Sequence, residues 1–190
     1  MRKYILIPII IYFLILYAWP YFKESNTEKH LVKIHSHVHA YIDSFQHYAI
    51  EEMQYSGVPA SITLAQGMLE SNYGRSELAK QANNHFGIKC KKEWGFNRYN
   101  IYSDEWNKRR RRMEPYMSCF RVYETAALSY RDHSDFLKNG TRYAPLFQLR
   151  KDDYKGWARG LQQAGYATDP EYARKLILII RRNKLYELDQ

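Results

Sequence analysis

Apolar residues recur at three and four along Val38, Tyr41, Ile42, Phe45, Tyr48, Ala49 and Met53, the spacing of one helical face. They predict an amphipathic helix from Ser36 to about Ser56, stopped by Gly57. Val58 and Pro59 open the next element, because proline suits a first helical turn. Its buried stripe is Ile62, Ala65, Met68 and Leu69, and Gly67 permits close approach of a neighbour. Gly74 is expected to end that helix, and Ser76 to cap a short one through Ala82, closed by Asn83 and Asn84. From His85 to Tyr123 the helical period is lost. Phe86, Ile88, Phe96, Tyr99, Ile101, Tyr102, Cys119, Phe120, Val122 and Tyr123 stand between charged turns and predict a small, partly irregular β region. Helical spacing returns over Ala126 to Leu137, Tyr154 to Ala164 and Pro170 to Leu185, with a short turn around Tyr143 to Leu149. The pattern gives an α+β fold, a mainly helical body with a small β lobe inserted. A cleft between the two would suit a long polymer.

Ahead of the first helix the pattern has another meaning. Met1, Arg2 and Lys3 supply positive charge, Tyr4 to Trp19 is apolar and broken only by Pro8, and no further charge occurs until Lys23. With Pro20 to Phe22 the run approaches the roughly 20 residues of a membrane-spanning helix. Tyr17, Ala18, Trp19 and Pro20 make a poor cleavage site, which favours an uncleaved anchor and leaves a cleaved signal open. In both cases the leading Lys and Arg stay in the cytoplasm and the remainder is exported. The expected organisation is a leader over residues 1–22, a short polar stalk over 23–35 and one domain over 36–190, a length that suits a single core and a monomer.

Charge and cysteines gain meaning from export. A net charge of +9 and a pI near 9.4 favour an anionic partner: nucleic acid, anionic lipid or a carboxylate-bearing cell wall. Export sets nucleic acid aside. Arg109 to Arg112 sit in a turn-like neighbourhood and are expected to form a solvated loop tip. Cys90 and Cys119, an even pair in an oxidising compartment, are expected to form a disulfide, with two unpaired buried thiols as the alternative. No metal or cofactor is expected. Neither cysteine has a CxxC partner, and His35, His37 and His39 alternate, so they cannot share a helical face.

One acid stands out. Glu70 follows Leu69 at the edge of the apolar stripe, in the last turn of its helix, where the helix dipole disfavours the charged carboxylate. Glycosidic cleavage needs a protonated carboxyl beside the leaving oxygen, commonly with a second carboxylate as nucleophile or base. A glutamate facing an apolar wall in a cleft keeps its proton through desolvation. Glu70 fits that donor role.

The stretch "LAQGMLESNYGRSELAKQANNHFGIK" resembles the signature of the glucosaminidase domain of glycoside hydrolase family 73, found in flagellar peptidoglycan hydrolases and bacterial autolysins. Ala65, Gln66, Leu69, Glu70, Ser71, Gly74, Ser76, Leu78 and Ala79 match its first block, and Asn83, Asn84, Phe86, Gly87, Ile88 and Lys89 its second. "CFRVYET" resembles an F-R-x-Y-x-S segment and "LQQAGYATDPEYARKL" a G-Y-A-T-D-P-x-Y-x-x-K block, so the likeness runs from about Ile42 to Leu185. It implies a lysozyme-like fold and hydrolysis of the β-1,4 bond between N-acetylglucosamine and N-acetylmuramic acid in peptidoglycan. It places Glu70 on the catalytic acid, Tyr166 on an aromatic lining the cleft, and Asn84 and Phe86 at the sugar subsite. For the second carboxylate, Glu105 is the first candidate and Asp104 the reserve, and assistance by the substrate's own acetamido group is the alternative. A lytic transglycosylase and a non-catalytic wall-binding module are the competing functional readings.

Overall fold

The computed structural model describes residues 36–91, 97–107 and 109–190, with side chains at all of these except 103–107 and 113. The chain divides into two compact units, Met1–Ala40 and Tyr41–Gln190. Of the first, residues 36–40 are described and are helical. The leader and stalk expected over 1–35 lie outside the described residues. Among those described, no helix is long and apolar enough to cross a membrane.

The second unit starts with α1 (residues 41–56), whose Tyr41, Ala49 and Met53 are buried as the spacing required. α2 (Ala60–Glu70) is the centre of the molecule: every residue from Ala60 to Met68 is buried, and α5 (Tyr154–Gln163), α6 (Tyr172–Arg182) and a 3-10 turn at Leu185–Asp189 pack around it. Its polar residues are buried with the rest, and Ser61 and Gln66 Nε2 find partners inside the protein, while Thr63 Oγ1 and Gln66 Oε1 are buried without one among the described residues. At the N-terminus, where Pro59 offers no side-chain cap, the Asp189 carboxylate accepts hydrogen bonds from the Ser61 backbone N–H (2.8 Å) and hydroxyl (2.6 Å). An acid there satisfies open N–H groups and complements the positive end of the helix dipole. Gly67 is packed under the Tyr41 and Tyr130 hydroxyls, which are hydrogen-bonded to each other at 3.0 Å; Tyr41 also bonds His85 Nδ1 at 2.9 Å.

Helix α2 stops at Glu70, four residues before the glycine expected to end it. Asn72, Tyr73 and Gly74 all have positive φ (50°, 57° and 71°) and turn the chain away. The buried Ser71 hydroxyl holds the turn, donating to the Gly67 carbonyl and accepting from the Gly74 N–H at 2.7 Å. α3 (Glu77–Ala82) follows, capped by Ser76 and closed by Asn83 at φ 48°, as the sequence predicts.

The β region is one antiparallel hairpin, β1 (Arg98–Asn107) and β2 (Arg112–Arg121), joined by a tip that carries Arg109, Arg110 and Arg111. Arg110 and Arg112 pair with Glu114. At its base the return strand is tied to the loop after α3. Cys90 and Cys119 form a disulfide, the Cys90 N–H donates to the Cys119 carbonyl (2.9 Å), and the Arg121 N–H to the Ile88 carbonyl (3.0 Å). Arg121 then reaches α4 (Ala126–Lys138), donating to both oxygens of Asp132 at 2.6 and 2.7 Å.

Candidate active site

Glu70, Phe86, Ile88, Lys89, Lys91, Phe120, Arg121 and Tyr166 surround a groove of about 660 Å³. One wall is the C-terminal end of α2 with the segment after α5; the other is the loop 86–91 with the base of the hairpin. Three expected site residues therefore meet: Glu70, Phe86 and Tyr166. Glu70 is the only carboxylate among the described residues lining the groove.

Glu70 is exposed by surface area because it faces open space, yet protein crowds its remaining sides. That desolvation raises its pKa above the ordinary glutamate value, and a hydrogen bond from Tyr172 Oη to Oε1 (3.0 Å) acts in the opposite direction by favouring the charged form. Burial wins, and the helix C-terminus works the same way. Tyr172 in turn accepts a hydrogen bond from Gln66 Nε2 at 2.9 Å. Gln66 and Glu70 are four residues apart on α2, so one face of the helix carries both.

Tyr166 lies half-buried in the groove wall. Its ring is stacked on that of Tyr172 (5.6 Å between centroids, 25° between planes) and is edge-on to His133 and Phe136. Phe86 is 4% exposed and stacks on the buried His133 at 4.0 Å, so it floors the groove with an edge rather than an open face.

Asn84 was expected to shape the sugar subsite, and here the structure corrects the expectation. The residue is 1% exposed. Its Nδ2 donates to the carbonyls of Ile88 (3.0 Å) and Arg121 (2.9 Å), and its Oδ1 accepts from the Ile88 N–H (3.1 Å). With both amide protons given to backbone and the side chain enclosed, it offers no donor to a sugar. It holds the groove wall from behind, joining the 86–91 loop to β2.

The two candidates for a second carboxylate differ in register. Asp104 pairs with Pro115 and Glu105 with Glu114. Strand alternation puts position 105 in the row of Ser118 and the groove-lining Phe120, and position 104 in the row of Tyr102, Cys119 and the groove-lining Arg121, so each row ends on the groove. The side chains of both lie outside the described residues.

Gln66 and Tyr172 escaped the sequence reading as site residues, although both lie in the motifs quoted. The i, i+4 spacing of Gln66 and Glu70 was the available signal for the first. Nothing local marks Tyr172, which is 102 residues from its partner. The cations Lys89, Lys91 and Arg121 along the groove were likewise not singled out.

Comparison with known proteins accords with this geometry. The Glucosaminidase family, described as mannosyl-glycoprotein endo-beta-N-acetylglucosaminidase, matches residues 46–185. The exo-glucosaminidase LytG of Bacillus subtilis is 38% identical over 156 residues, 79% of this chain and 53% of LytG. The peptidoglycan hydrolase FlgJ of Vibrio parahaemolyticus is 31% identical over 143 residues, 74% of this chain and 46% of FlgJ. The chain thus spans about half the length of these relatives. Among solved structures, the catalytic domain of the autolysin Auto from Listeria monocytogenes superposes with a TM-score of 0.73 at 27% identity, covering 80% of this chain and 87% of that one. The described fold is that of the lysozyme-like structures of this group. With the family match covering most of the chain and Glu70 at the head of the groove, the chain belongs to the glucosaminidase family of glycoside hydrolases, family 73.

Proposed function

We propose that this chain hydrolyses the β-1,4 bond between N-acetylglucosamine and N-acetylmuramic acid in peptidoglycan, with Glu70 as the proton donor. The observation that carries the reading is a glutamate held at the end of a buried helix, with its pKa raised, in a groove open enough to admit a glycan strand. In this reading Glu70 gives its proton to the departing O4 as the C1–O4 bond breaks, and a water adds its hydroxyl to C1, its other proton passing to a carboxylate acting as base. Tyr166 offers its ring edge and hydroxyl to the sugar. Glu105 is the first candidate for the second carboxylate and Asp104 the reserve, on the resemblance to the family's β-lobe acid, and each lies in a strand row that ends on the groove. The groove's Lys89, Lys91 and Arg121 suit a polymer that carries carboxylates.

The cut is internal to the strand in this proposal, as the family description says; LytG, by name, is an exo-enzyme. The apolar run Tyr4 to Trp19 exports the domain and anchors it to the membrane, a statement resting on the sequence alone. Cell fractionation with N-terminal sequencing of the mature chain tests it.

Glu70→Gln removes the acid proton and nearly keeps the shape. Purified peptidoglycan treated with this variant is expected to release no reducing sugar, and release at the unaltered rate would overturn the assignment. Mass spectrometry of the wild-type products decides the mechanism. A lytic transglycosylase would leave an anhydro sugar end, whereas hydrolysis leaves a reducing N-acetylglucosamine. Short products from strands with a blocked non-reducing end indicate internal cuts.

A further inference from the structure

We propose that Tyr172, held by Gln66, is the positioning residue of the acid: its hydroxyl fixes Oε1 of Glu70 as an acceptor and thereby leaves Oε2 to carry the transferable proton. This rests on the reading of Glu70 as the proton donor.

The argument starts from hydrogen-bond inventory. Gln66 and Tyr172 are buried, at 0% and 2% exposure, and the groove does not reach either. An amide nitrogen only donates, so Gln66 Nε2 at 2.9 Å uses a lone pair of the Tyr172 oxygen. The hydroxyl has one proton, and the acceptor within reach of it is Glu70 Oε1 at 3.0 Å. The chain therefore runs one way, from Gln66 through Tyr172 to Glu70. A carboxyl whose Oε1 already accepts a proton from tyrosine is best protonated on its other oxygen. Carboxyl rotation about its last bond would exchange the two oxygens, and the same hydrogen bond resists it.

Rigidity of the mount supports the role. Gln66 sits one helical turn before Glu70 on the most buried helix, so donor and acid share one support. Tyr172 begins α6, which packs directly on α2, and its ring is stacked on Tyr166 in the groove wall. The aromatic beside the sugar and the group aiming the acid thus lean on each other. The Tyr172 bond also lowers the Glu70 pKa against the larger effect of burial, so it keeps the acid from holding its proton too tightly.

Tyr172→Phe tests the role, since it keeps the ring and its stack while deleting the hydroxyl. On soluble, uncross-linked glycan strands, kcat is expected to fall about 10- to 100-fold with KM nearly unchanged, the scale of a misaimed catalytic group. The alkaline limb of the kcat/KM profile is expected to move to higher pH, because a bond favouring the carboxylate is gone. Gln66→Met, which removes the anchor and leaves the hydroxyl, should move the limb in the same direction by less. A 13C titration of the Glu70 carboxyl in both folded variants gives the same order without turnover. A wild-type kcat and an unmoved limb in Tyr172→Phe, with Glu70→Gln inactive, would overturn the positioning role and leave the proposed function standing. An active Glu70→Gln would overturn the function itself. If Tyr172→Phe does not fold, Gln66→Met and its carboxyl titration decide alone: no shift refutes the relay.

Discussion

Gly67→Ala, a single added methyl three residues before the acid, should destabilise the protein through one identifiable contact. A Cβ at this position would lie 2.6 Å from the Tyr41 hydroxyl, 3.0 Å from that of Tyr130 and 3.5 Å from the Phe86 ring. The first distance is well inside van der Waals contact, so Tyr41 must move. Its hydroxyl is not free to do so, because it bonds both His85 and Tyr130 in a buried setting. Overpacking of this kind costs about 1–3 kcal/mol, and leaving buried polar groups unpaired costs about 1–3 kcal/mol more. Alanine returns about 1 kcal/mol through helix propensity. The net is a loss of about 1–5 kcal/mol, which for a chain of this size lowers Tm by roughly 2–20 °C. Urea and thermal unfolding of Gly67→Ala, Tyr41→Phe and the double variant form the assay. Removing the Tyr41 hydroxyl relieves the closest contact, so the methyl should cost about 1 kcal/mol or less in the Tyr41→Phe background, a coupling of roughly 2 kcal/mol. Additivity of the two changes to within about 0.5 kcal/mol would refute the reasoning, because the methyl would then be acting somewhere else.

Two further predictions follow from the site and its tether. Reduction of Cys90–Cys119, which closes a loop of sequence separation 29, should cost about 3–4 kcal/mol by chain entropy and lower Tm by roughly 6–16 °C; an unchanged melt and two titratable thiols in the unreduced, denatured protein would deny the bond. Glu70 has a folded-state pKa above its unfolded one, so its favourable contribution is complete below the unfolded value near about 4.3 and is lost as pH rises through the folded value. Glu70→Gln should accordingly be more stable than wild type at neutral pH, the difference closing toward pH 3 in parallel urea titrations; a gap that widens on acidification would reverse the sign.

What the sequence revealed and what it withheld divide along distance in the chain. The spacing of Ile62, Ala65 and Met68 and the caps at Ser76 and Asn83 are local signals, and the corresponding helices form where they were expected. The end of α2 was displaced because Asn72 and Tyr73 adopt left-handed backbone ahead of Gly74, a conformation that the buried Ser71 hydroxyl helps to hold; Asn72 is a residue type that admits it, and Tyr73 is not. Burial of Ser61 and Gln66 was invisible for another reason. Each becomes tolerable through a partner more than 100 residues away, Asp189 and Tyr172 respectively. Asn84 illustrates the limit of motif reading: its place in a motif with the acid suggested a sugar contact, and its chemistry turned out to be backbone support.

The contrast in burial between α2 and the outer hairpin has a consequence for how the molecule opens. Amides of α2 are enclosed on every side and should exchange with solvent only when the whole domain unfolds, whereas the outer hairpin, with Tyr102, Tyr116 and Met117 largely exposed, has little to hold it beyond its own ladder and should exchange through local opening. The proton donor would then sit on the slowest part of the protein, facing a tethered wall from which a freer hairpin extends. A polymer whose neighbouring strands are linked by peptides presents irregular obstacles beside each bond, and such a division lets the outer hairpin yield to them while the acid keeps its aim.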